Sequence, residues 1–273
     1  MFSFVSSAII SGIDGVIVQT EADVSDGLPM FDMVGFLASE VRESKERVRT
    51  ALKNCGYILP AKRITVNLSP ANIKKQGSGF DLPITIAVLS ALEKIPEKST
   101  ENTLFIGEMS LNGDINAVSG ILPIVLKAKE EGFKTCVIPY ANAREASIVE
   151  GISIIPVKSI TEAIGYCKGE FTPTVFFDNP ISQDLKCIDF SDVNGQALVR
   201  RACEIAVTGL HNLLLVGPPG AGKSMIAQRI PTILPDMSFS EQIEVTRIYS
   251  VCGKLEEAGG LITKRPFRSP HHT

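Results

Sequence analysis

The chain of 273 residues lacks three things that would narrow its function at once: a C-x-x-C pair, a long apolar run and an excess of basic charge. Its six cysteines (Cys55, Cys136, Cys167, Cys187, Cys203 and Cys252) are widely spaced, which fits buried reduced thiols better than a zinc or redox site. No stretch approaches about 18 uninterrupted apolar residues, so no membrane span is expected. Met1-Phe2-Ser3-Phe4-Val5 has no basic start and Asp14 interrupts any apolar segment, which argues against a signal peptide and for a cytoplasmic protein. A net charge of −3 advertises neither nucleic acid nor an anionic membrane as a partner. It does not exclude a DNA motor, because a ring can gather positive charge in one channel and stay acidic outside.

What the chain does have is Gly217-Pro218-Pro219-Gly220-Ala221-Gly222-Lys223-Ser224, a complete G-x-x-x-x-G-K-[ST] phosphate loop. Glycines let backbone N–H groups curl around a phosphate chain, the lysine reaches the β/γ-phosphates and the Ser224 hydroxyl ligates Mg²⁺. His211-Asn212-Leu213-Leu214-Leu215-Val216 reads as a buried strand entering the loop, and Met225 to Ile230 as a helix whose N-terminus favours anions. ATP and Mg²⁺ are the expected cofactors.

Length and a composition of 44% hydrophobic and 21% charged residues suggest a globular chain of two domains. Residues 1–168 alternate strand-like and helix-like segments, so an α/β or mixed α+β layer structure is expected. Ala8-Ile9-Ile10 and Gly15 to Val24 read as a hairpin around the Gly12-to-Gly15 turn. Ser39 to Asn54 is an amphipathic helix with Val41, Val48, Ala51 and Leu52 on one face. Arg63 to Leu68 alternates like a strand, Leu82 to Leu92 is a mostly apolar helix, and Leu104-Phe105-Ile106-Gly107 with Gly113-Asp114-Ile115 reads as a second hairpin. Helices follow at Ile121 to Glu131 and Ile160 to Cys167, strands at Thr135 to Pro139 and Ile152 to Val157. Residues 169–190, with Asp178-Asn179-Pro180, carry turn residues without periodicity and read as a linker. A new unit spans 191–273, with a helix from Gln196 to about Thr208 before the loop.

A P-loop ATPase also needs an apolar strand ending in acidic residues. Glu256-Glu257 follow Lys254-Leu255, and Asp236 sits in a Pro-bounded turn, so neither fits. The chain reads as an N-terminal fragment cut inside its ATPase domain, binding ATP or ADP weakly and turning over undetectably.

Asp189-Phe190-Ser191-Asp192-Val193-Asn194-Gly195-Gln196 matches the D-V-x-G-Q element of AAA+ ATPases, which the second unit resembles. That resemblance implies Asp192 and Val193 as adenine-side residues; from the residues alone, the run is a helix N-cap followed by an Asn-Gly turn. Arg265-Pro266-Phe267-Arg268-Ser269-Pro270-His271-His272-Thr273 and Arg229 to Pro235 look like segments of magnesium-chelatase-type AAA+ proteins. His271-His272 reads as a polar turn rather than a metal site, since chain neighbours rarely converge on one ion.

The first unit resembles the protease domain of Lon, a ribosomal-protein-S5-domain-2-like fold. Gly107-Glu108-Met109-Ser110-Leu111-Asn112-Gly113-Asp114-Ile115 and Lys134-Thr135-Cys136-Val137-Ile138-Pro139 carry the likeness. Laying Gly79 to Ile84 on Lon's nucleophile turn puts Asp81 at the serine, and laying Ser119 to Leu122 on the next helix puts Leu122 at the lysine. Neither can do that chemistry. Ser78 and Lys127 lie three and five residues out of register, so the resemblance implies the fold without the protease.

A Lon-like unit, a linker and a magnesium-chelatase-like AAA+ module stand in the order of the ComM/YifB family. The resemblance implies ATP-driven DNA branch migration in natural transformation, by a hexameric homo-oligomer acting on branched or single-stranded DNA, with no membrane. A magnesium chelatase subunit, an AAA+ motor on another protein and a Lon-type protease are the alternatives; a 170-residue leader counts against the chelatase, and Asp81 with Leu122 against the protease. Lys62, Arg63, Lys74 and Lys75 form either a solvated face or a patch facing DNA or a neighbouring subunit. No aromatic residue interleaves with them, so single-strand stacking is not signalled.

Overall fold

The computed structural model describes residues 1–173, 188–255 and 260–270. Most of the expected linker, with Asp178-Asn179-Pro180, lies outside the described residues, as do Cys187, Glu256-Glu257 and His271-His272-Thr273. By its contacts the chain divides into a unit of residues 1–178 with 246–260 and a unit of residues 179–245 with 261–273.

The first unit starts with a hairpin, β1 (Phe2–Ser11) and β2 (Asp14–Ser25), paired from Phe2↔Asp23 to Ser11↔Asp14. Alternation sets the faces: Val18, Thr20, Ala22 and Val24 are buried while the residues between them are partly or fully exposed. β2 pairs antiparallel with β4 (Arg63–Ser69), which pairs parallel with the edge strand β3 (Met30–Val34). On the other side, β1 runs parallel to β5 (Thr103–Phe105), then β8 (Thr135–Pro139) and β9 (Ser153–Val157) follow, both parallel. The seven-stranded order is β3-β4-β2-β1-β5-β8-β9.

Helix α1 (Ser39–Asn54) buries Val41, Val48, Ala51 and Leu52, and α2 (Asp81–Ala91) is buried at every position. Both join a core cluster with Val5, Val18, Val24, Ile64, Val66 and Leu68. Burial on all sides explains why α2 has no polar face. Helix α3 (Ile121–Glu130) packs Ile121, Leu122, Ile124 and Val125 in a second cluster with Leu104, Cys136 and Ile138. The short α4 (Ala143–Ala146) adds Ala146 to that cluster, and α5 (Ile160–Lys168), N-capped by Ser159 Oγ, adds Ile160, Ala163 and Ile164 to the first.

The hairpin expected at 104–107 and 113–115 is corrected. Thr103–Phe105 is buried at each residue and belongs to the main sheet, as a continuous apolar interior strand should. The hairpin lies just after it, between β6 (Glu108–Met109) and β7 (Ile115–Asn116). Its turn needs Gly113, whose φ is +92° and whose added Cβ would stand 2.4 Å from Cys55 Sγ.

The second unit contains α6 (Ala197–Thr208), α7 (Lys223–Arg229) and the start of α8 (Phe239–Val251). Among its described residues there is no strand, so the strand expected at 211–216 is not formed; Leu214 and Val216 are 85% and 86% exposed. A segment apolar on both faces forms a strand only with neighbours to pair it. No helix among the described residues is long and apolar enough to cross a membrane.

Candidate functional site

The phosphate loop connects His211–Val216 to α7. Gly220 and Gly222 adopt φ of +81° and +79°, a left-handed conformation that side chains with a Cβ disfavour. Lys223 starts α7 and folds its ammonium back into the loop, donating to the carbonyls of Gly217 and Pro218 at 2.8 Å each. Pro218, Pro219 and Ala221 are exposed, and Ser224 is exposed on the first turn of the helix. A positive charge held by carbonyls at the mouth of a glycine loop fits a polyphosphate, which offers stronger acceptors for the same ammonium. Lys223 and the loop backbone would hold the phosphates and Ser224 the Mg²⁺.

The Asp189–Gln196 run lies against this helix. The Asp189 carboxylate accepts the Ser191 N–H at 2.7 Å, and hydrogen bonding with the Ser191 side chain, then with this N–H, holds Asp189 below the usual carboxylate range. The Asp192 carboxylate accepts the Asp189 N–H at 3.2 Å and also pairs with the guanidinium of Arg229 at 3.1 Å. Val193 is buried with Phe190, Cys203 and Ile226 in the core of the second unit. Gln196 ends the run with its amide nitrogen 3.9 Å from where a Cβ on Gly222 would stand. The structure therefore sets Asp192 and Val193 against Arg229 and Ile226 of the helix that follows the loop, 33 or more residues along the chain. Arg229, which opens the family-like Arg229 to Pro235 run, has a partner 37 residues away that no local pattern could give.

Farther along, Arg265 of the R-P-F-R run donates to the Pro235 carbonyl at 3.0 Å and pairs with Glu241 at 3.1 Å. Glu241 in turn caps the start of α8 by accepting from the Ser238 N–H at 2.8 Å. Among the described residues no group of three His, Cys, Asp or Glu could hold a metal ion.

In the first unit, Asp81 is fully buried at the start of α2. Arg47 grips it with Nε at 2.8 Å and Nη2 at 3.0 Å, and the Met109 N–H donates to it at 3.0 Å. Hydrogen bonding to Asp81 pushes the Arg47 guanidinium above its usual range. Leu122 is buried in the α3 cluster, its N–H donating to Glu145 at 2.8 Å. Ser78 donates its hydroxyl to the Glu108 carboxylate.

Of the four basic residues Lys62, Arg63, Lys74 and Lys75, Lys74 is exposed and the other three are engaged. Lys75 is fully buried, its ammonium donating to the Pro70 carbonyl and its pKa pushed down by burial. Lys62 pairs with Asp26 at 3.0 Å and Arg63 with Asp32 at 3.4 Å.

Comparison with known proteins gives two family matches: "Subunit ChlI of Mg-chelatase" over residues 20–142 and "Magnesium chelatase, subunit ChlI" over residues 189–273. An uncharacterized protein of Mycobacterium tuberculosis is 43% identical over 98% of this chain and 53% of its own length. Competence protein ComM of Haemophilus influenzae is 34% identical over 99% of this chain and 54% of its own. The chain thus spans about half the length of the curated relatives it matches. Lon protease 2 of Bacillus subtilis is 32% identical over 46% of this chain and 22% of its own length, in keeping with the Lon-like first unit. The chain belongs to the magnesium-chelatase-like ComM/YifB family of AAA+-type ATPases.

Proposed function

We propose that this chain supplies the nucleotide-binding part of an ATP-driven motor, a homo-oligomeric ring, hexameric as in the family reading, that migrates branched DNA. One observation carries the nucleotide reading: Lys223 folds into its own glycine loop while the Asp189–Gln196 run abuts that loop at Gly222. On this reading Gly217, Pro218, Pro219, Gly220, Ala221 and Gly222 cradle the phosphates through their backbone. Lys223 neutralises β/γ charge, Ser224 ligates Mg²⁺, and Asp192 and Val193 flank the adenine. Bound Mg²⁺ would supply charge neutralisation between the phosphates. Residues 1–168 act as a scaffold rather than a protease, since Asp81 and Leu122 are committed to an ion pair and a core cluster.

The DNA substrate rests on the order of the two units and on the likeness to ComM, whose name marks it as a competence protein. The ATPase rate of the full-length protein carrying this chain tests it. Stimulation by forked DNA is expected; stimulation by protoporphyrin would favour porphyrin metallation, and a response to neither would favour a protein substrate.

A further inference from the structure

Residues 190–196 meet α7 and the turn after it in reverse order. The Phe190 N–H donates to Thr232 Oγ1 at 3.0 Å, and Asp192 pairs with Arg229. Val193 shares a buried cluster with Ile226, and the Gln196 amide nitrogen lies 3.9 Å from where a Cβ on Gly222 would stand. Ile226 and Arg229 are three residues apart on one face of α7, with Gly222 capping its start and Thr232 in the 3-10 turn that follows its end. The run therefore lies antiparallel along that face, from the helix end back to the phosphate loop.

Arg229 is the charged fastening of this arrangement. Its side chain is only 16% exposed. Nη1 donates to the Met225 carbonyl at 3.2 Å, while Nε and Nη2 reach Asp192 Oδ2 at 3.2 and 3.1 Å. The rigid guanidinium fork ties the helix backbone to the turn in one geometry, which a lysine cannot reproduce.

We propose that Arg229 is a positioning residue for the nucleoside half of the ligand. Acting through Asp192, it sets the Asp189–Gln196 turn on α7 and so fixes where Asp192 and Val193 stand relative to the phosphate loop. This rests on the nucleotide-binding reading above. It also assigns the Asp192 carboxylate to holding the turn rather than to touching adenine.

The test is a pair of titrations on the full-length protein, one with a fluorescent N-methylanthraniloyl-ADP and one with inorganic tripolyphosphate in competition. Arg229→Ala should weaken the nucleotide about tenfold while leaving tripolyphosphate within about twofold, because the loop and Lys223 are untouched. Arg229→Lys should fall in between. Asp192→Asn should match Arg229→Ala, and the double variant should be no weaker than either alone. Equal loss of both ligands, unchanged nucleotide affinity, or additive losses would each overturn the proposal. If Arg229→Ala loses its helical circular-dichroism signal, Arg229→Lys is read by the same criteria. A wild-type protein that binds neither ligand would instead sink the nucleotide reading itself.

Discussion

At Asp81 a buried carboxylate accepts three hydrogen bonds, two of them from a guanidinium that is 24% exposed. Removing one partner of such a pair leaves the other charge stranded. Asp81→Ala is therefore expected to lower stability by about 2–4 kcal/mol, somewhat less than for a wholly buried pair because Arg47 keeps some solvent. Urea denaturation followed by circular dichroism reads the loss, and an unchanged midpoint would show the pair to be dispensable. The same geometry explains why Asp81→Ser with Leu122→Lys should give no peptidase: the new lysine would enter an apolar cluster and Arg47 would lose its anchor. Covalent labelling of any serine by a fluorophosphonate probe, in wild type or double variant, would contradict this. In the second unit, Ser224→Ala should raise the Mg²⁺ concentration needed for half-maximal ATPase, because on the proposed reading the hydroxyl is the metal's protein ligand.

Among the elements, those with a clean period were legible in the sequence. Helix α1 runs from Ser39 to Asn54 as its charged, amphipathic pattern predicts, and its four expected core residues are buried. The β1–β2 hairpin followed from its turn and alternation, although β1 begins at Phe2 rather than Ala8, and β8 stands where a strand was expected at Thr135 to Pro139. The edge strand β3 was not legible, being five half-buried or exposed residues beside Gly27 and Gly35. The 211–216 strand was misread because an apolar run announces burial without saying what buries it. At the site, the loop was legible as a local motif, whereas the Asp192–Arg229 and Asp81–Arg47 pairs join residues 37 and 34 apart and leave no local signal.

The strands and helices also protect their thiols. Burial pushes Cys136 on β8 up to about 12 and Cys167 on α5 up to about 11, from an ordinary value of 9.0. A thiol raised in the fold favours the native state below pH 9.0, and that contribution is lost as pH climbs towards the folded values. Stability measured in urea should thus fall between pH 9.0 and about 11, with Cys136→Ala flattening part of the slope. At pH 8, iodoacetamide should modify exposed Cys252 and spare Cys136 and Cys167 in the folded chain.

For the molecule as a whole, a member of an ATPase family carries a Lon-like first unit in which Asp81 and Leu122 stand where a serine–lysine pair would be. The scaffold account predicts that deleting residues 1–168 from the full-length protein impairs ring assembly or DNA-stimulated ATPase, read by light scattering and phosphate release. Rings that form normally and migrate branched DNA at the wild-type rate would refute it.

The most direct test of the central claim, that Gly217–Ser224 is a working nucleotide site, is ATP hydrolysis by the full-length protein with and without Lys223→Ala. The account predicts turnover in wild type, loss to background in the variant, and an unchanged melting temperature without nucleotide, because the Lys223 ammonium bonds only the carbonyls of an exposed loop in the contacts described. Equal hydrolysis by the two proteins would contradict the claim, and so would a variant that loses activity only by unfolding.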